Sequence, residues 1–346
     1  MAHEDQQLKV AVVGYGMAGR LIHTPLVLAA GLRVSDIVTS DPARAAAARR
    51  EVPGVRVHTG LAALLTASTS PDARPDLVVL GTPTGQHVEH ALAVVAGGIP
   101  VVVDKPLALD ESGARRVVVA AEAAGVPLTV FHNHRWDDEQ RTLAGLLRAG
   151  TLGTVHRFER RWERWRPASP ARWRETAVGD DGGLLLDLGV HLVDSAIALF
   201  GPVTSVYAEI RALMTATDDD VFLALTHASG TLSHLSAGSV VGAPGPRTRV
   251  LGSSGAFLVT RFEGTVGPFD AMDPGPGMAG WHVHGDQRSA VRCAPGGHVD
   301  FYRGVGRWLT EGGPAPVDPW DAVRNAAVLD AARRSAASGS TVALGG

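Results

Sequence analysis

Lys9-Val10-Ala11-Val12-Val13-Gly14-Tyr15-Gly16-Met17-Ala18-Gly19 is the stretch on which the fold turns. A short apolar run leads straight into glycines spaced Gly-x-Gly-x-x-Gly, and Ala, Leu and Val then recur at helical spacing over residues 17–30. A buried strand, a glycine turn and a helix in that order make the phosphate-holding corner of a βαβ unit. Gly14 permits the tight turn, Gly16 lets backbone approach a pyrophosphate, and Gly19 lets the helix pack close. The helix start offers free N–H groups, with Tyr15, Met17 and Ala18 completing the loop that would line a dinucleotide. A plain strand–turn–helix is the bland alternative. In a chain with 41 glycines the motif alone carries little; the strand before it and the helix after it give it meaning.

Further along, apolar runs at 34–39, 76–80, 100–103 and 126–130 alternate with Ala-rich helical patterns at 42–50, 86–96 and 111–124. Continuous apolar runs of this length fit strands buried on both faces, and strands alternating with helices give a doubly wound parallel sheet. Residues 1–130 therefore read as a Rossmann dinucleotide-binding domain. After a helix expected over 138–149 the texture changes. Runs at 155–162, 203–211, 221–226, 231–236, 248–251 and 257–262 alternate apolar and polar residues and are joined by glycine turns, as in an antiparallel sheet with one face covered. Residues 131–346 read as an α+β domain with a large, mainly antiparallel open sheet. Residues 264–297, dense in Gly and Pro, read as a long loop, and Asp318-Pro319 opens a helix to about residue 338.

The 346 residues suggest about two domains, and 45% apolar against 19% charged side chains gives material for a real core. A formal charge of −3 leaves no electrostatic footprint for nucleic acid or an anionic membrane. The single cysteine, Cys293, excludes an intramolecular disulfide and a cysteine-based zinc cluster, and no metal site is expected. The polar, acidic start (residues 1–7) does not read as a signal peptide. The longest apolar stretch, 184–200, holds Asp187, His191 and Asp194, too polar for a membrane span. A cytoplasmic chain with a small-molecule partner is expected. Arg160, Arg161, Arg164 and Arg166 interleave with Trp162 and Trp165, but Glu159 and Glu163 lie among them. They read as a strand edge and a wall of a substrate cleft, with Arg164 and Trp165 as substrate candidates, rather than as a nucleic-acid stripe.

Several motifs carry chemistry. About 20 residues past the glycine motif, where an NAD-binding protein offers a carboxylate to the ribose, stand Thr39 and Ser40, with Arg44 in the next turn. Hydroxyls and an arginine suit a 2′-phosphate, so NADP(H) is favoured and NAD(H) is the alternative; Asp41, as a helix cap, is the bland account of this corner. Thr82-Pro83-Thr84-Gly85-Gln86-His87 and Asp104-Lys105-Pro106 fall at the carboxyl ends of strands, where doubly wound sheets bind ligands. Asp187 and His191, four apart on an apolar helix after Gly182-Gly183, would share a face as a carboxylate-oriented general base.

Taken together, the glycine motif, Asp104-Lys105-Pro106, and Gly182-Gly183 through Asp187 to His191 resemble the Gfo/Idh/MocA oxidoreductases, over nearly the whole chain. His23-Thr24-Pro25-Leu26, Thr39-Ser40, the 132–137 stretch His-Asn-His-Arg-Trp-Asp, the 162–167 stretch and Arg172-Trp173-Arg174 resemble its NADP-preferring scyllo-inositol dehydrogenase branch. The resemblance implies Lys105 as catalytic lysine, with Asp187 and His191 as its acid–base partners. It implies cofactor contacts at Thr39, Ser40, Arg44, Thr82, Pro83, Thr84, His87, Asp104, Lys105, Asn133, Trp173 and Arg174. It also implies hydride transfer at a secondary alcohol of a cyclic polyol or sugar, and a homodimer or homotetramer. Asp104 stands where the family usually has glutamate, one methylene short of a ribose contact. Two other functions remain open on sequence: an NAD-dependent glycoside hydrolase using transient redox, and a cofactor-binding regulator without chemistry.

Overall fold

The structure is a computed structural model that describes residues 7–167, 182–261 and 267–345. The valine-rich runs become strands because two-sided burial rewards β-branched residues in extended backbone. Val10, Ala11, Val12, Leu77–Leu80 and Val101–Val103 are all fully buried. Strands β1 (Lys9–Val13), β2 (Arg33–Val38), β3 (Arg56–His58), β4 (Leu77–Leu80), β5 (Val101–Asp104) and β6 (Leu128–Phe131) form one sheet in the order β3-β2-β1-β4-β5-β6. Every pairing in it is parallel. The strand order reverses between β1 and β4, which opens a crevice at the carboxyl edge of the sheet. The connecting helices are α1 (Thr24–Ala29), α2 (Pro42–Glu51), α3 (Leu61–Ala67), α4 (His87–Ala96) and α5 (Glu111–Ala124).

Among the described residues the second sheet has nine strands. They are β7 (Val155–Glu163), β8 (Val203–Arg211), β9 (Asp220–His227), β10 (Leu232–Gly238), β11 (Thr248–Gly252), β12 (Gly255–Val259), β13 (Met278–His284), β14 (Gln287–Arg292) and β15 (Val342–Ala343). Their order is β14-β13-β12-β11-β7-β10-β9-β8-β15, and only β10 and β7 run parallel. Helices α6 (Asp138–Arg148), α7 (Val190–Phe200), α8 (Val299–Glu311) and α9 (Pro319–Ser338) are the remaining α-helices among the described residues. None of the described helices is long and apolar enough to cross a membrane.

Two expectations are corrected. Residues 264–297 are not one long loop, because 278–292 form the β13–β14 hairpin, turning at Gly285 with φ +60. Strand β14, Gln-Arg-Ser-Ala-Val-Arg, is exposed at nearly every position of a sheet edge, so it has no apolar alternation to read. The arginines of β7 do not lie on a strand edge, since β7 pairs with β11 on one side and β10 on the other. Arg160 is tolerated there because its buried guanidinium donates to Gln140 at 2.6 Å and to Ser195, with Glu139 at 3.7 Å.

The chain resolves into two compact units, and the cut is not a single boundary after residue 130. Residues 1–133 and 297–323 make the first, and 134–296 with 324–346 make the second. Helix α8 rejoins the first unit, where it packs on α1.

Candidate dinucleotide and catalytic sites

In the first unit the glycine loop follows from steric necessity. Gly14 has φ +91, and a Cβ there would stand 2.7 Å from the Gly81 carbonyl oxygen. A Cβ on Gly19 would overlap the Gly14 carbonyl. At Gly16 the nearest atom to such a Cβ is Arg44 Nη1 at 3.6 Å, so backbone there is open to an approaching group beneath a guanidinium. This cradle fits a pyrophosphate. Tyr15 lies inward, its hydroxyl donating to Glu51 at 3.0 Å while Glu51 also holds Arg20. Burial first, then Glu51, push the Tyr15 phenol up to about 12, so it anchors the loop as a neutral donor. Met17 is exposed and Ala18 leads into the helix, which opens with a wide π-turn over Gly19–His23 instead of a regular α-turn.

At the end of β2, Thr39 is buried and Ser40 exposed. Asp41 accepts the N–H groups of Ala43 at 2.8 Å and Arg44 at 3.0 Å, capping α2, and these bonds hold its carboxyl below the usual range. The Arg44 guanidinium stands 3.5 Å from Asp41. The other carboxylate nearby, Asp36, is buried within β2 between Arg56 and His58. The corner thus presents hydroxyls and a guanidinium, with Asp36 committed within β2 and Asp41 shared between its helix cap and the Arg44 guanidinium.

Beyond β4, Thr82 Oγ1 lies 3.3 Å from His90 Nδ1; Pro83 is exposed and Thr84 buried. Both ring nitrogens of buried His87 lie 2.8 Å from carbonyl oxygens, Thr82 and Pro106. His87 thereby ties the β4 loop to the Lys105-Pro106 turn, whose peptide bond is cis. It braces backbone on both sides of this corner. Asp104 directs Oδ1 to the Lys105 N–H at 2.8 Å, and Oδ2 stands 3.5 Å from His23 Nε2. Lys105 follows the end of β5, and Asn133 lies two residues past the end of neighbouring β6.

In the second unit, Asp187 falls in a π-turn, Leu185–Gly189, just before α7. A π-turn carries more residues than the 3.6 of an α-helix, so the register between Asp187 and His191, in the first turn of α7, is set in part by the π-turn. The turn is held from outside by Asp218, whose carboxylate accepts the Leu185 N–H at 2.7 Å and whose carbonyl accepts Leu184 N–H at 2.9 Å. Gly183, at φ +89, is required because a Cβ would collide with that carboxylate. His191 is 8% exposed and packs edge-on against His134, centroids 4.2 Å apart, with Trp162 at 6.0 Å. His134 Nδ1 meets Asp137 at 2.6 Å. One turn past His191, Asp194 takes a two-pronged grip from Arg135, at 2.6 and 2.9 Å. Arg164 and Arg247 stand over the Trp162 ring at 5.5 and 5.3 Å, and Trp165 is exposed on the extension of β7.

Trp173 and Arg174 lie outside the described residues. Sequence reasoning missed His23, His134, Asp137, Asp194 and Asp218 as parts of the sites. The i,i+3 spacing of His134 and Asp137 was a readable signal; Asp218, far along the chain from the helix it caps, gave none.

Comparison with known proteins bears on both units. Residues 8–132 match the family model described as oxidoreductase family, NAD-binding Rossmann fold, and residues 140–258 match the Gfo/Idh/MocA C-terminal domain. The chain is 29% identical to scyllo-inositol 2-dehydrogenase (NADP(+)) IolW of Bacillus subtilis, over 97% of this chain and 96% of that one. It is 30% identical to inositol 2-dehydrogenase 2 of Saccharopolyspora erythraea, over 96% and 94%. The solved structure of the oxidoreductase yvaA from Bacillus subtilis superposes with a TM-score of 0.86 at 28% identity, covering 99% of this chain and all of that one.

Proposed function

Because the chain belongs to the Gfo/Idh/MocA family of NAD(P)-binding oxidoreductases, acting on CH–OH groups, we propose that it is an NADP(H)-dependent dehydrogenase of a cyclic polyol or sugar, inositol-like in its secondary alcohol. One observation carries the reading. The parallel sheet of the first unit brings the Gly14–Gly19 loop, Thr39-Ser40, the Thr82 loop and Lys105 to the same carboxyl edge, at the ends of β1, β2, β4 and β5. The relatives named as inositol dehydrogenases support the substrate class. Thr39, Ser40 and Arg44, with Asp41 turned into its helix cap, support a 2′-phosphate on the cofactor.

The Gly14–Gly19 loop, Thr39, Ser40 and the Thr82 loop would hold the dinucleotide, whose nicotinamide would supply the hydride chemistry in either direction. The protein does the rest. As the substrate C–H hydrogen leaves with its electron pair, His191 takes the hydroxyl proton and the carbonyl forms; in the reverse direction His191 gives the proton back. Lys105 steadies the negative charge that develops on the oxygen, and Asp187 orients His191. Arg164 and Trp165 offer donors and an apolar face to a polyhydroxylated ring. The same resemblance supports assembly as a homodimer or homotetramer.

The test is a panel of inositols, sugars and their keto forms, each with NADP⁺ or NADPH and with NAD⁺ or NADH, followed at 340 nm. Net absorbance change with at least one cyclic polyol, larger with the phosphorylated cofactor, is the expected result. Product released from a glycoside at constant absorbance would replace this reading with a transient-redox hydrolase.

A further inference from the structure

His23, on the π-turn that follows the glycine loop, is fully buried and has no part in the chemistry above. It lies where three parallel strands end. A Cβ on Gly81, just past β4, would come within 3.3 Å of its ring; Asp104, closing β5, stands 3.5 Å from its Nε2; Phe131, closing β6, packs against it with centroids 4.8 Å apart. Its other nitrogen, Nδ1, lies 2.7 Å from the hydroxyl of Tyr302 on α8, a side chain that is also fully buried. Burial keeps that phenol protonated well above its ordinary range, so Tyr302 has a proton to donate. Nδ1 accepts it, and Nε2 then carries the hydrogen that faces the carboxylate, an electrostatic contact at 3.5 Å and longer than a hydrogen bond. Asp104 in turn receives the backbone N–H of Lys105 at 2.8 Å.

We infer that His23 is a positioning residue for Lys105: a buried chain Tyr302–His23–Asp104 fixes the peptide group from which the lysine projects. The inference rests on the reading of Lys105 as the cation that steadies the alkoxide. It also accounts for aspartate at position 104. The short side chain keeps both oxygens close to the backbone, one for its neighbour's N–H and one for the imidazole, where a glutamate would overreach the histidine. With the imidazole removed, a largely buried carboxylate loses the group opposite it and turns toward water or toward another donor, and the Lys105 N–H loses its acceptor. A displacement of about 1 Å at a reacting group costs roughly 100-fold in rate.

The test compares His23→Leu, which fills the volume without a donor, and His23→Gln, whose amide nitrogen reaches about as far as Nε2. Tyr302→Phe, which removes only the hydroxyl, is a third variant that keeps the packing. Each is assayed with the best substrate of the panel, and NADPH binding is measured by fluorescence titration. His23→Leu is expected to lower kcat about 10- to 100-fold with the NADPH Kd within about threefold of wild type. His23→Gln is expected to recover most of that loss, and the kcat of Tyr302→Phe to fall between those of His23→Leu and the unmodified enzyme. An unchanged kcat in both His23→Leu and Tyr302→Phe would overturn the inference. So would parallel loss of kcat and NADPH affinity with no recovery by glutamine, since that is the signature of a packing role. Lys105→Ala, run alongside, separates the two claims: if it is inactive while His23→Leu is normal, only the positioning fails; if it turns over normally, the lysine's role fails and the positioning with it.

Discussion

Arg44 and Asp104 make opposite uses of charge. The Arg44 guanidinium, 3.6 Å from where a Cβ on Gly16 would stand, is the group proposed to meet a 2′-phosphate. A charge-assisted contact of this kind contributes about 1.5–3 kcal/mol, so Arg44→Ala should cut the ratio of kcat/KM for NADP⁺ over NAD⁺ by roughly 10- to 100-fold. An unchanged ratio would move the preference to other residues. Asp104 is a stability device as well as a brace. Burial would raise its carboxyl, but the facing His23 side chain, with the charges of Lys105 and His87, outweighs this and holds it at about 2, below the ordinary 3.8. A carboxyl depressed in the folded state stabilises fully above its unfolded value, and that contribution fades as pH falls from about 4 through about 2. The shift corresponds to about 2 kcal/mol. The urea midpoint of the wild type should therefore fall more steeply over that window than that of Asp104→Asn. Parallel curves would contradict the assignment.

The glycine loop and the π-turn before α7 show how an element can depend on the absence of a side chain. Gly183→Ala would force a Cβ into the Asp218 carboxylate while asking an L-residue to hold φ +89. Such strain costs about 1–3 kcal/mol, and by loosening the turn that carries Asp187 it should lower kcat more than it raises the KM for the dinucleotide. Thermal melting and steady-state kinetics on the same sample check both halves; an unchanged Tm would show that the turn yields easily. The two elements differ in how far the sequence discloses them. Gly14–Gly19 is readable because its constraint is local: a strand, a turn and a helix that must meet within a few residues. The turn at Leu185–Gly189 is not, because the group that caps it, Asp218, comes from a distant loop and the π geometry leaves no mark in the apolar spacing. Strand β14 was illegible for a third reason, since an exposed edge strand is stabilised by backbone pairing alone and its side chains carry no pattern.

Across the chain, the first unit was open to reading because strands buried on both faces must be continuously apolar. The second sheet was readable where one face is covered. What stayed hidden is the return of residues 297–323 to the first unit, which puts Tyr302 beside His23 across 279 positions of sequence. The claim that most needs testing is that Lys105 acts in hydride transfer. The direct measurement is the single-turnover rate at 340 nm of wild type and Lys105→Ala, each saturated with NADP⁺ and the best polyol of the panel, with NADPH affinity measured separately. The variant is expected to lose at least about 100-fold in the hydride step while its NADPH Kd stays within a few fold. A hydride step that proceeds at the wild-type rate in Lys105→Ala would contradict that role.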